Sequence, residues 1–470
     1  MSHRLLRLFI ATTITGLFSP SVNAQSSSKT GITSSQISAN QQTWFVAGSG
    51  NDANNGLSNK TAFRTLNKAA SVAGPGDFVT INDGIYTEDQ AGASVLSITK
   101  SGTPDAWITW KSAPGANPEI RPSGWNGILI TGSYHVIDGI NIVGGNDGIT
   151  LLDALEDAKK TTSNSRFNTN GIFVNGRNNP SDNKPHHIII RNCSVSKCPG
   201  GGIVAIQSDY ITVEDCTVFE NAWYMRYAGS GITTLNNWAF DNKSGYHVII
   251  QRNVVWSNKT LVPWEKTGNL SDGNGILLDV TDVADGATNP NADTVVNRTP
   301  VAQASNPSLR PEWSSRALIA NNISAFNGGS GIHTFRTKHV DIINNTTYWN
   351  GSVVNYQELF PNRSEDIVIL NNIIVPRPGG KVTSNNKNKN IRWDYNLYPQ
   401  PQTIFYGLND IVADPIFKNI QECLLAKISF QLQKSSKGLN SGTNDLTQSM
   451  DIARKKRFEG GGIDRGAYEQ

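Results

Sequence analysis

Long apolar runs, long helical patterns, cysteines and an excess of charge of either sign are all scarce in this chain of 470 residues. Four cysteines, Cys193, Cys198, Cys216 and Cys423, are too few to frame an exported protein of this size, so disulfides are not what holds it together. Lysine and arginine number 41 against 38 aspartates and glutamates, and without Arg4 and Arg7 the balance is 39 to 38. Near-neutrality removes any global argument for nucleic acid or an anionic membrane, and an acidic ligand must be met by a local cluster. Beyond the first 24 residues nothing reads as a membrane span.

Those 24 residues carry Arg4 and Arg7, an apolar stretch from Leu5 to Phe18 and a small residue, Ala24, before Gln25. Thr12, Thr13 and Thr15 interrupt the stretch, which fits a secretory signal better than an anchor. Secreted or periplasmic location is expected, with residues 25–42 as a Ser-rich flexible lead. Glycine, asparagine and serine are abundant, as in a fold of many short strands joined by turns.

A repeat defines the architecture. "HHIIIRNCSV" (186–195), "DYITVEDCTV" (209–218), "YHVIIQRNVV" (246–255), "RALIANNISA" (316–325), "KHVDIINNTT" (338–347) and "EDIVILNNII" (365–374) alternate apolar and polar residues and meet a polar residue at one fixed place. Cys193, Cys216, Asn253, Asn322, Asn345 and Asn372 hold that place, at intervals of 23, 37, 69, 23 and 27. A glycine-led strand precedes each: "NGIFVNG" (170–176), "GGIVAIQ" (201–207), "SGITTLN" (230–236), "NGILLDV" (274–280) and "SGIHTFR" (330–336), with "NGILITG" (126–132) before them. A third short strand follows the bend. Three strands per turn, all advancing one way, make an all-β parallel β-helix, and asparagines stacked about 4.8 Å apart at the bend can satisfy its backbone. Cys193 above Cys216 reads as two small ladder or core residues.

The flanks complete the division: helix body with its N-terminal cap over 43–409, including a short capping helix around Thr65–Ala73, and a C-terminal capping segment over 410–470. The stretch "FVAGSGNDANNGLSNKTAFRTLNKAASVAGPGDFV", the glycine-led strands, the asparagine bend and the "DPIF…GIDRGAYE" ending resemble secreted right-handed parallel β-helix proteins of the pectate lyase superfamily, nearest in style to the family 9 pectate lyases. The superfamily spans lyases, hydrolases, epimerases and phage tailspikes, so the resemblance speaks to fold before reaction. It implies a polysaccharide substrate, and a monomer is expected.

The resemblance also places the cleft on the outer face of the glycine-led strands. Alternation then turns Val204, Ile206, Thr233, Leu235, Leu277, Asp279, His333 and Phe335 outward. Asp279 stands on the expected cleft floor, and the 69-residue interval reads as a long insertion, 280–313, leaving beside it. Three neighbouring loops bring Trp223, Tyr224 and Arg226, then Trp238 and Asp241, then Trp264, Glu265 and Asp272, a mixture of rings and polar groups that suits sugars. His333, Arg336, Lys338 and His339 supply the cations that uronate chemistry needs to neutralise a carboxylate and remove its α-proton.

Family 9 pectate lyases use a lysine base and an aspartate cluster binding calcium. Asp279 stands where that lysine would be, and no dense run of aspartates lies beside it. Calcium is the one cofactor the resemblance suggests. The resemblance puts first a lyase of an acidic glycan using Asp279 with His333, Arg336 and Lys338; next comes a glycoside hydrolase pairing Asp279 with Asp272, Asp241 or Glu265 at about 5–9.5 Å, and third a non-catalytic glycan-binding solenoid.

Overall fold

Strands of four to six residues are too short to stand alone, so each persists only by pairing with its equivalent in the next turn. The computed structural model describes residues 41–282, 310, 312–420, 430–458 and 461–470. Within them the chain winds through three parallel sheets of eleven, eight and eleven strands. The eight-stranded sheet holds the glycine-led strands, with Ser94–Ile98 before them and Leu359–Asn362 after them. Each runs into a strand of one larger sheet, such as Tyr246–Gln251, and then a short strand of the other, such as Val254–Trp256. The architecture is an all-β parallel β-helix with three strands per turn. A helix, Leu66–Val72, is capped by the Thr65 hydroxyl accepting from Lys68 N–H at 3.1 Å and puts Leu66 and Ala69 into the core.

Inward positions form columns. Ile172, Ile203, Ile232, Ile276, Ile332 and Leu359 align pair by pair, none more than 1% exposed. Burying one such side chain contributes roughly 1.5–3 kcal/mol, against about 1 kcal/mol for a typical hydrogen bond. The apolar columns therefore supply most of the stability, and the polar rows fix register. Cys193, Cys198 and Cys216 are buried free thiols in this core. Cys423 lies outside the described residues.

At the asparagine bend, Asn253 N–H and Nδ2–H both donate to Asn322 Oδ1, at 2.9 and 3.0 Å. The same bond pair joins Asn322 to Asn345, Asn345 to Asn372 and Asn372 to Asn396. A second ladder, absent from the repeat reading, runs at the far end of the short strands through Asn221, Asn258, Asn327 and Asn350. It explains why glycine leads the next strand. A Cβ on Gly231 would lie 2.7 Å from Asn258 Nδ2, and one on Gly275 would lie 2.7 Å from Asn327 Nδ2 and 2.0 Å from Ser324 Oγ.

The 69-residue interval is one turn of the coil, with loops on both sides of the strand Ile276–Asp279. Tyr246–Gln251 pairs directly with Arg316–Ala320, and Ile276–Asp279 lies between Ile232–Leu235 and Ile332–Phe335. Most of the expected insertion 280–313, namely 283–309 and 311, lies outside the described residues, as do residues 1–24, expected to be a leader, and 25–40 of the expected lead. The C-terminal segment reaches back along three turns: Arg457 bonds Asn321 Oδ1, Asn344 Nδ2 donates to Asp464 O, and Gly466 N–H donates to Asn371 O. No helix among the described residues is long and apolar enough to cross a membrane.

Candidate active site

Ile276 and Leu278 belong to the core, so Leu277 and Asp279 stand on the opposite face of their strand. Register builds two outward rows across the turns: Val204, Thr233, Leu277, His333 and Phe360; and Ile206, Leu235, Asp279, Phe335 and Asn362. The residue after Asp279, Val280, turns the chain away at φ 54°. A β-branched side chain is strained there, the kind of local cost that collects at functional sites.

Asp279 is half-buried, and its Oδ1 has no hydrogen-bond partner. Burial among apolar neighbours pushes its carboxyl up to about 8; the charge of Asp272 adds to this and Arg336 opposes it. Asp272 lies in a tight bend, at φ 65° before Gly273 at φ 70°. Its carboxylate accepts from Ser271 Oγ at 3.0 Å and Asn274 Nδ2 at 3.2 Å. Burial raises it to about 6 while those two donors hold it down. Of the two, Asp272 is therefore the more readily ionised and Asp279 the more readily protonated.

His333 borders the pair on the next strand. It is 5% exposed, and neither ring nitrogen has a partner. Phe360 stacks on it at 4.5 Å and 14°, and Tyr356 meets it edge-on at 5.6 Å. Burial holds the imidazole down at about 3, which favours the neutral ring over the expected cation. Tyr356 Oη, 3.5 Å from Ser271 Oγ, ties its loop to the bend that carries Asp272.

The other expected cations are engaged. Arg336 forks onto Asp282 at 3.1 and 2.8 Å with both side chains buried, so only its charge reaches Asp279. Lys338 lies across the bend on Lys338–Ile343, with its ammonium 2.5 Å from Glu312 and 3.9 Å from Glu365. His339 Nδ1 is 2.8 Å from Asp366. Carboxylates supplied by adjacent turns thus neutralise the charges assigned to a uronate.

The aromatic loops mostly pack onto the coil. Trp223 and Tyr224 join Phe167 and Val262 in a satellite core against helix Leu151–Ala158, which the repeat reading missed. Trp223 Nε1 also donates to Ser257 O at 3.0 Å. Arg226 pairs with Glu265 at 2.8 Å. Trp238 is buried beneath Lys184, and Asp241 is held by the Tyr210 hydroxyl at 2.6 Å and Lys243 at 3.0 Å. Lys266 covers the Trp264 ring at 5.7 Å. None of these partners is in the Asp272–Asp279 group. Sequence reasoning overlooked Tyr356 and Phe360 because the strand Leu359–Asn362 lacks the glycine lead; the 27-residue interval from Asn345 to Asn372, counted on from His333, reaches Phe360.

Among the described residues no three His, Cys, Asp or Glu side chains group as metal ligands. Asp282, a further carboxylate acting on Asp279, is already on Arg336, so the described residues alone do not make up an aspartate cluster for calcium.

A family model described as "Pel9A-like, right handed beta helix region" matches residues 44–366. No curated protein matches the chain. Among solved structures, pectate lyase Pel9A aligns at 15% identity and TM-score 0.49, covering 93% of this chain and 98% of that one. A rhamnogalacturonan lyase aligns at 17% identity and TM-score 0.45, covering 86% and 97%. The GH136 lacto-N-biosidase from Eubacterium ramulus aligns at 14% identity and TM-score 0.43, covering 76% and 56%.

Proposed function

The chain belongs to the Pel9A-like right-handed β-helix family, and from that premise we propose that it is an exported polysaccharide-cleaving enzyme acting on the outer face around Asp272 and Asp279. The reading the site supports best is hydrolysis of a glycosidic bond. The observation that carries it is a pair of carboxyl groups placed so that the charge of Asp272 adds to burial in raising Asp279, to about 8, while burial raises Asp272 to about 6. Environments that push two carboxyls apart suit an acid and a base for glycoside cleavage. Asp279 gives its proton to the departing glycosidic oxygen, and ionised Asp272 serves as base toward water or as nucleophile at the anomeric carbon. Tyr356 and Phe360 pack together beside His333, and the buried Oδ1 of Asp279 has no partner within the protein, which leaves it free to bond a substrate.

β-Elimination on a uronate glycan is the second reading, favoured by the family. It requires a cation on the substrate carboxylate, and Arg336 and Lys338 already face Asp282 and Glu312. A panel of neutral and acidic polysaccharides separates the two. Hydrolysis releases reducing ends without unsaturated uronate; the ultraviolet chromophore of unsaturated ends in the products would establish elimination instead.

A further inference from the structure

We infer that His333 selects the sugar, hydrogen-bonding a hydroxyl of an uncharged glycosyl unit beside Asp279 and so directing the site to neutral rather than uronate glycans. This deepens the hydrolytic reading and rests on it for which bond is cut. Register fixes the residue outward between Leu277 and Phe360, so its ring belongs to the cleft floor and not to the core. The other described histidines have at least one nitrogen bonded: His135 to Lys100 O, His186 and His187 to each other, His247 to Asp209 and Lys243 O, His339 to Asp366. His333 has neither.

Two unpartnered nitrogens on a side chain 5% exposed are costly in the free protein, and a phenylalanine would fill the space between Leu277 and Phe360 without that cost. A ligand that meets the nitrogens removes the cost. Burial keeps the ring neutral, with one donor and one acceptor. A sugar hydroxyl can answer both roles, whereas a carboxylate only accepts. The surroundings point the same way. The guanidinium whose charge reaches Asp279, Arg336, is forked onto Asp282, and an ionised Asp272 would repel a uronate. Phe360 stacked on the imidazole and Tyr356 at its edge hold the ring in one orientation, which suits discrimination by hydrogen bonding.

The test is calorimetric binding to an Asp279→Asn protein, so that turnover does not intervene, using neutral hexasaccharides of the xylo, cello, manno and galacto series and hexagalacturonate. At least one neutral series is expected to bind, with hexagalacturonate at least roughly tenfold weaker. Adding His333→Phe should weaken the neutral ligand roughly 10- to 100-fold while the melting temperature holds or rises; His333→Gln, keeping a donor and an acceptor, should recover part of the affinity. Tighter binding of hexagalacturonate, failure of every neutral series, or a His333→Phe protein that melts lower with affinity unchanged would each overturn the inference. If a neutral glycan binds through His333 yet the wild-type protein releases no reducing ends from it, the hydrolytic reading fails and the specificity role stands.

Discussion

The asparagine bend and the outer face of the glycine-led strands belong to the same turns and treat buried polar atoms in opposite ways. At the bend, Asn322 is fully buried and every bond it can make is made: Nδ2 donates to Asn345 Oδ1 and Ile250 O, and Oδ1 accepts from Asn253 N–H and Nδ2–H. On the outer face, His333 and Asp279 carry buried polar atoms with no partner. Satisfied rows are what a solenoid needs to hold register; on the outer face three unpartnered buried atoms, Asp279 Oδ1 and both His333 ring nitrogens, fall on two paired strands, and such a grouping points to a ligand. One row therefore serves stability and the other chemistry, and substitutions should separate them.

The largest expected effect is on the outer face. Asp279→Asn and Asp272→Asn should each lower kcat by roughly 10²- to 10⁴-fold with the denaturation midpoint kept or raised, as initial rates and guanidinium unfolding would show. Loss of stability in step with activity would erase the contrast. At the bend the sign reverses. Asn345→Ala strips partners from Asn322, Asn372 and Ile319 O and should cost about 3 kcal/mol of stability with kcat on the remaining folded protein unchanged. Gly275→Ala tests the close approach of the second ladder. The added methyl must displace Ser324 or Asn327, a cost of roughly 1–3 kcal/mol in the same unfolding assay.

The remaining test is the pH dependence of stability, which concerns a single side chain. Asp279 has a carboxyl raised from 3.8 to about 8 in the folded chain. Its contribution is fully present below pH 4, declines as pH rises toward 8 and is gone above that. Asp279→Asn should remove that alkaline decline, read as a flatter melting temperature between pH 5 and pH 8.

How much of this was legible follows the same division. The bend asparagines recur at one place in the repeat, so the ladder and the three-strand turn could be read from spacing, and alternation alone turned Asp279 and His333 outward. The second ladder went unread although its asparagines share the intervals of the first, because single residues at strand ends carry no apolar pattern. Helix Leu151–Ala158 hid in an insertion despite the Thr150 cap that accepts from Asp153 N–H. Partner choice was the least legible. Nothing in "GIHTFRTKHV" says that Arg336 will meet Asp282, that Lys338 will meet Glu312, or that His333 will meet nothing. Those pairings come from turns far apart in the chain, and they moved the reading from a cationic uronate site to a carboxyl pair.

That pair can be tested directly in the pH profile of kcat/KM on a cleaved neutral glycan, which reports the free enzyme's acid and base. With Asp272 at about 6 and Asp279 at about 8, the rate should rise through pH 6, level near pH 7 and fall through pH 8. A rate that keeps rising beyond pH 8 would contradict the assignment of Asp279 as the protonated acid.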